Sequence, residues 1–422
     1  MRYIVKNLNI NIFVCSHINF ASIYYYSKSN VCLVLKLSIR VKTTHNHYDL
    51  IIAGAGIVGS SVAYHATLKG LSVLIMDTKG PFSGASGASD GAVSICTKKS
   101  GALTNLALDA LKYYNSLSFK NNILSKIYHK RPSYYFSTND KEDQAIDDLS
   151  NKIKTLGNPV SIKSDRPGKE SINGLGDKIH RVLEVAGEGH ILGYEAVNTY
   201  LNSQNIKHAW PCRLTRFEEN SSHVKVHTDL GTYIADHLII ATGVSAGLNL
   251  PNIIESHITP RSGQLIITDR TTSTSDLKGP LTSASYLLSK SYIPSELSSP
   301  PIVIDSLSTG QFLIGSSRED NSGSSTTDFL TVKRILSHAS SCFPPLLSRQ
   351  VIRVFAGVRA AVEDGHPIVG PISSHARVLL AKGFEGDGIC LSAIIGREII
   401  DFIRGKEFSK DVQTLTPERF TV

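Results

Sequence analysis

Between Tyr48 and Asp77 the apolar positions change period twice. Tyr48 to Ala53 is a short apolar run of strand length. Residues 57–69 then place Ile57, Val58, Val62, Ala63 and Ala66 on one helical face, and Gly70 ends the pattern. Leu71 to Met76 is a second apolar run closing on Asp77. The pattern predicts strand, helix, strand. Further on, Val224 to His227 alternates, and Ala235 to Ile240 reads as a buried strand ending in Ala241-Thr242-Gly243. Residues 99–118 predict a helix with Leu103, Leu106, Leu108, Leu111 and Tyr114 on its apolar face. Residues 137–180 are polar and charge-mixed, as expected of an exposed part of a second domain. Residues 270–300 are rich in Ser, Thr and Pro and predict loops around a strand. A chain of 422 residues predicts two or three domains.

The turn between the first strand and the helix is Gly54-Ala55-Gly56-Ile57-Val58-Gly59, a GxGxxG pattern. Gly54 permits the tight turn, Gly56 leaves room for a pyrophosphate, and Gly59 lets the helix approach the sheet. The helix N-terminus offers N–H groups and a positive dipole end. Asp77, 18 residues after Gly59, is placed to accept hydrogen bonds from a ribose and disfavours a 2′-phosphate. Strand, helix, strand and terminal acid in register predict dinucleotide binding.

The next stretch favours FAD over NAD. Gly84 to Ser94 is almost entirely small, and Ser86, Gly87, Ser89, Asp90 and Gly91 are candidate flavin contacts. Ala241, Thr242 and Gly243 end the strand expected beside the flavin nucleotide. Gly187 to Gly193 looks like a second dinucleotide loop, but its glycine spacing is one too long and no apolar strand ending in an acid follows. NAD(P)H is therefore not expected, and electrons would come from a reduced organic substrate.

The formal charge of +8 raises the question of nucleic acid, and its distribution answers it. Arg2, Lys6, Lys28, Lys36 and Arg40 supply five of those charges, with no acid among residues 1–40. The basic surplus thus belongs to the N-terminal segment and not to a binding face, so no nucleic-acid partner is expected. Cys15, Cys32, Cys96, Cys212, Cys342 and Cys390 form no CxxC pair and read as separate thiols, so no metal site is expected. Residues 1–46 show no clean period. Asn, His and Ser interrupt the uncharged stretch from Asn7 to Ser27, which fits neither a membrane span nor a signal peptide. Only two Arg stand against a transit peptide's need for several. The working chain is expected to start near Val41, and the intact mass of natively expressed protein tests this.

The last 75 residues carry a family signature. Ala356 to Gly370, AGVRAAVEDGHPIVG, resembles the AGxRxxxxDGxPxxG motif of the D-amino-acid oxidase superfamily. Phe384 to Leu391, FEGDGICL, resembles its second flavin motif, and Pro260 to Gln264 and Gly315 to Glu319 resemble further landmarks. The resemblance spans roughly residues 47–408. It looks most like the branch holding the small flavin subunits of opine oxidases, D-hydroxyproline dehydrogenase and hydrogen cyanide synthase, with glycine oxidase a close relative. Three departures stand out: Phe384 where the family often has His, and Ala360 and Ala393 where it often has Pro.

The resemblance implies an α/β fold. A Rossmann-like FAD domain is assembled from residues 47–98, 190–253 and 352–422. A mostly antiparallel substrate domain is assembled from residues 99–189 and 254–351. It implies that Arg359 anchors a substrate carboxylate, and that Gly386, Asp387, Gly388 and Ile389 approach the flavin. No Cys or His stands in the motifs that carry covalent flavin in sarcosine oxidase relatives, so non-covalent FAD is expected. The implied activity is oxidation of a small amino or imino acid. Electrons would leave to oxygen, to a quinone or to a partner subunit, including an iron–sulfur subunit that this chain's scattered cysteines do not replace. A sarcosine-type N-methyl amine oxidase and a non-catalytic flavin-binding subunit are the alternatives. The expected location is cytoplasmic, with a partner as the route to the inner membrane. His366, beside Pro367, reads as structural, and Tyr134, Tyr135 and Tyr286 are candidate pocket residues without a choice among them.

Overall fold

The computed structural model describes residues 2–3, 12–13, 21–25 and 33–37, and residues 47–420 apart from 117–122, 203–204, 246–249, 251, 272–276 and 290–300. Contacts divide the chain into Met1–Asn46 and His47–Val422. In the first unit only four short strands are described, Arg2–Tyr3 pairing with Ile12–Phe13 and Ala21–Tyr25 with Leu33–Leu37. The expected start near Val41 lies outside the described residues.

The strand His47–Ala53, apolar and buried from Leu50 onward, lies at the centre of an eight-stranded sheet. It pairs in parallel with Val73–Met76 on one side and Gly231–Ile240 on the other. Lys207–Ala209 extends the sheet beyond Val73–Met76, and Val378–Lys382 pairs in parallel with the end of Gly231–Ile240. The helix Ile57–Thr67 covers one face, with Ile57, Val58, Val62, Ala63 and Ala66 all buried. Packed against it is a closing helix, Gly388–Ile403, where Ser61 Oγ donates to the Ser392 carbonyl at 2.9 Å.

A nine-stranded sheet forms the second layer. Its pairings are antiparallel except that of Pro280–Ser283 with Ser133–Ser137. Strand Val351–Val362 pairs along its length with Ile258–Thr268. It therefore belongs to this second sheet, although the expected boundary assigned residues from 352 onward to the first. Its side chains pass from exposed at Val351 through half-buried to buried at Val362, and its hydrogen bonds decide its membership. A three-stranded ribbon sets Gly189–His190 antiparallel between Ala92–Val93 and His129–Lys130. The Gly187 to Gly193 loop thus has no parallel βαβ context. The predicted helix appears as Ala102–Ser116 and buries Leu103, Leu106, Leu111 and Tyr114, with Leu108 half-buried. Residues 140–156 form an amphipathic helix capped by Asn139, whose side chain accepts from the Glu142 N–H. No described helix is long and apolar enough to cross a membrane.

Two buried histidines give the fold an acid limit. Burial, with Arg397 beside His65 and Arg131 beside His190, lowers their pKa values to about 4 and about 3. The unfolded chain takes up these protons near the ordinary value of 6.5, well before the folded chain does. Their contribution is complete above pH 6.5 and is lost as pH falls toward 4. Thermal melting should therefore drop steadily between pH 7 and pH 4.5, and a His65→Gln, His190→Gln chain should show a flatter slope. An unchanged slope would assign the acid sensitivity to other groups.

Candidate active site

The glycine turn is built as tightly as its spacing predicted. Gly54 has φ of 110°, and a Cβ there would strike the Ala241 carbonyl oxygen. A Cβ at Gly59 would strike the Gly54 carbonyl oxygen. Gly56 caps the helix without any side-chain cap, and no acid lies in its first turn. Ser86 Oγ accepts from the Ile57 N–H at 2.9 Å, which ties the small-residue stretch to the helix N-terminus beside Val58. Asp77 receives the Ala55 N–H at 2.9 Å on one oxygen and the Lys79 and Gly80 N–H groups on the other. Its carboxylate thus fixes both the glycine turn and the loop after the second strand.

The stretch from Gly84 to Val93 lies close to several segments. Ala85–Ala88 is one 3-10 turn, containing Ser86 and Gly87. Ser89 Oγ donates to the Ser86 carbonyl, and Asp90 Oδ1 accepts from Ala92. The Gly91 carbonyl accepts from Ile191 at 2.9 Å. Ala241 donates to the Ala53 carbonyl at 2.8 Å, which brings Thr242 and Gly243 to the edge of the glycine turn. The closing helix begins here too: a Cβ on Gly388 would lie 3.6 Å from Ile57 Cγ2, and Tyr114 OH donates to the Ile389 carbonyl. Phe384 is buried beside Gly388. The GxGxxG turn, the small-residue stretch and the closing helix N-terminus therefore converge.

A cavity opens next to this convergence, lined by Tyr286, Ser289, Pro301, Ser316, Arg318, Arg359, Glu385 and Gly386. Arg359 stands mid-strand with its guanidinium over Gly263, and one of its N–H groups donates to Ser316 Oγ at 3.1 Å. Among the described residues no carboxylate pairs with it. Glu363 instead pairs with His257, and Asp364 with Arg419. Glu385 is held by Arg261 at 2.6 Å and by Arg318 at 3.5 Å. Arg261 also pairs with Asp320. Of the three candidate tyrosines only Tyr286 reaches the cavity. Tyr134 lies in the core of the second sheet, and Tyr135 is buried with its hydroxyl 3.3 Å from Glu188. His366 bonds the Asp364 carbonyl, and its own carbonyl accepts from Arg419.

Sequence reasoning missed two buried charges. Glu188, fully buried, accepts from Ser94 Oγ at 2.7 Å, Ile95 N at 2.8 Å and Cys96 N at 3.0 Å. It fixes the chain just after the small-residue stretch. Its flanking glycines were the available signal. Replacing Glu188 by leucine strands those donors and should cost about 3 kcal/mol, read as a lower urea midpoint at unchanged slope. Lys98 is the other: its Nζ lies 2.8 Å from Asp387 Oδ1. No sequence pattern links these two residues. The sole His and carboxylate grouping of metal-binding spacing among the described residues, Asp140, Asp143 and His180, lies on the second sheet's flank.

A mixed sheet with a parallel centre and a glycine turn, a second, mostly antiparallel layer and a charged cavity beside the turn are the arrangement expected of a flavin-linked oxidoreductase. Residues 49–402 match the family described as DAO, FAD dependent oxidoreductase. The chain belongs to that family and is an FAD-dependent enzyme. It is 21% identical to glycine oxidase of Bacillus subtilis (strain 168), over 86% of this chain and 95% of that protein. It is 23% identical to the hydrogen cyanide synthase subunit HcnC of Pseudomonas protegens, over 89% and 96%. The fold matches the crystal structure of glycine oxidase from Bacillus cereus ATCC 14579 with a TM-score of 0.75 and 21% identity, over 87% and 98% of the chains. The residues present fit FAD: the helix N-terminus at Gly56 carries no acid in its first turn, where the short Ser86 hydroxyl meets the Ile57 N–H, and Gly386 opens on free space where a Cβ would stand.

Proposed function

We propose that this enzyme oxidises the C–N bond of a small amino or imino acid of the glycine, D-amino-acid, opine or hydroxyproline type. The observation that carries the reading is Arg359, a guanidinium facing the cavity with no carboxylate spent on it among the described residues. A planar guanidinium binds a carboxylate through two parallel hydrogen bonds and so fixes both distance and tilt. Ser316 holds Arg359 from one side, and Gly263 leaves the space in which it lies.

Gly54, Gly56, Gly59, Ser86 and the Gly386 to Ile389 turn would hold FAD non-covalently, and the bound cofactor would supply a hydride acceptor. Arg359 aims the substrate carbon. Tyr286 and Pro301 wall the cavity and restrict water. No general base is assigned, because an amine that binds neutral needs none. The product imine hydrolyses in water. Oxygen, a quinone or a partner subunit takes the electrons. Likeness to a hydrogen cyanide synthase subunit supports a hetero-oligomer as the second reading. An anaerobic absorption spectrum tests the proposal. A yellow protein bleached by one member of a panel of amino and imino acids supports it, and bleaching by N-methyl amines lacking a carboxylate would replace it.

A further inference from the structure

Lys98 and Asp387 form an ion pair of 2.8 Å with residue exposures of only 5% and 9%. A buried pair of this kind contributes little net stability, because desolvating two charges offsets their attraction. Stability therefore gives no reason for a lysine at this point. Its position does. Asp387 stands at the N-terminus of the closing helix, yet its side chain caps none of that helix's N–H groups. The helix start adjoins Ile57 of the glycine turn, and Cys390 Sγ donates to the carbonyl of Ser94, four residues before Lys98. Lys98 also lies within electrostatic reach of Tyr286 in the substrate cavity, and its own carbonyl is held by Lys152 Nζ at 2.7 Å. Left alone, the Asp387 carboxylate would oppose the positive end of the helix dipole, which amounts to about half a charge.

We propose that Lys98 is a positioning residue that neutralises Asp387, so that the closing helix presents positive potential to the flavin. The inference rests on the flavin reading above. Burial works against the Lys98 charge and Asp387 outweighs it, so the ammonium stays protonated throughout the working range. Potential from the protein near the flavin ring sets how readily it accepts electrons.

The test uses the FAD-loaded chain and three variants: Lys98→Met, Asp387→Asn and the two combined. The readouts are FAD affinity, from the fluorescence of released FAD, and midpoint potential, by dye equilibration. Lys98→Met should bind FAD about tenfold more weakly and show a lower potential. Asp387→Asn should raise the potential, and it keeps the test open should Lys98→Met fail to fold. The combined variant should recover both quantities. A Lys98→Met chain equal to wild type overturns the inference, as does a combined variant no better than the single one, because a merely structural lysine leaves the same defect in both. A wild-type chain that takes up no FAD overturns instead the flavin reading beneath it.

Discussion

A Gly54→Val chain should leave purification colourless and bind added FAD at least about 100-fold more weakly than wild type. Two effects combine. At φ of 110° a branched side chain is strained, and its Cβ would strike the backbone of Ala241. Moving either strand end to relieve the clash costs on the order of 3 kcal/mol and shifts the N–H groups of the turn. Two measurements separate the causes. Circular dichroism reports whether the sheet still forms, and quenching of FAD fluorescence reports affinity. A folded, yellow Gly54→Val chain with wild-type affinity would mean that the dinucleotide does not lie on this turn.

The second large effect falls on Arg359. Changing it to leucine should raise KM for a carboxylated substrate by about 100-fold, since two charge-assisted hydrogen bonds are lost together, while kcat falls less. Arg359→Lys should lie between, because charge survives but the fork does not. The corresponding amino amide, which lacks the carboxylate, should discriminate little between wild type and Arg359→Leu. Unchanged KM in Arg359→Leu would remove Arg359 from substrate binding and leave Arg318, on the same cavity wall, as the next candidate.

The centre of the first sheet was legible because Leu50–Ala53, Val73–Met76 and Leu238–Ile240 are short apolar runs ending at a glycine turn or an acid. The glycine turn was legible because Gly54 and Gly59 each answer a backbone contact that only a missing side chain allows. The path of Val351–Val362 was not. A run of small and apolar residues fits either layer, and only hydrogen bonding to Ile258–Thr268 decides. The freedom of Arg359 was also hidden. Glu363 and Asp364 stand four and five residues away, near enough in sequence to suggest a pair on one turn. Most of the intervening chain is strand, where four residues span about 13 Å, so those acids find His257 and Arg419 instead. The Lys98 to Asp387 pair joins residues 289 apart, and no local period reports such a meeting.

The contact between Ser61 and Ser392 bridges 331 residues and has a consequence for biosynthesis. At 5–20 residues per second, the helix Ile57–Thr67 leaves the ribosome roughly 15–65 s before the helix that covers it. Throughout that interval the face carrying Ile57, Ser61 and His65 is open, and the cradle for the cofactor lacks one wall. Nascent chains halted before Gly388 should therefore bind a chaperone that recognises exposed apolar surface and take up no FAD, whereas released full-length chains should lose the first property and gain the second.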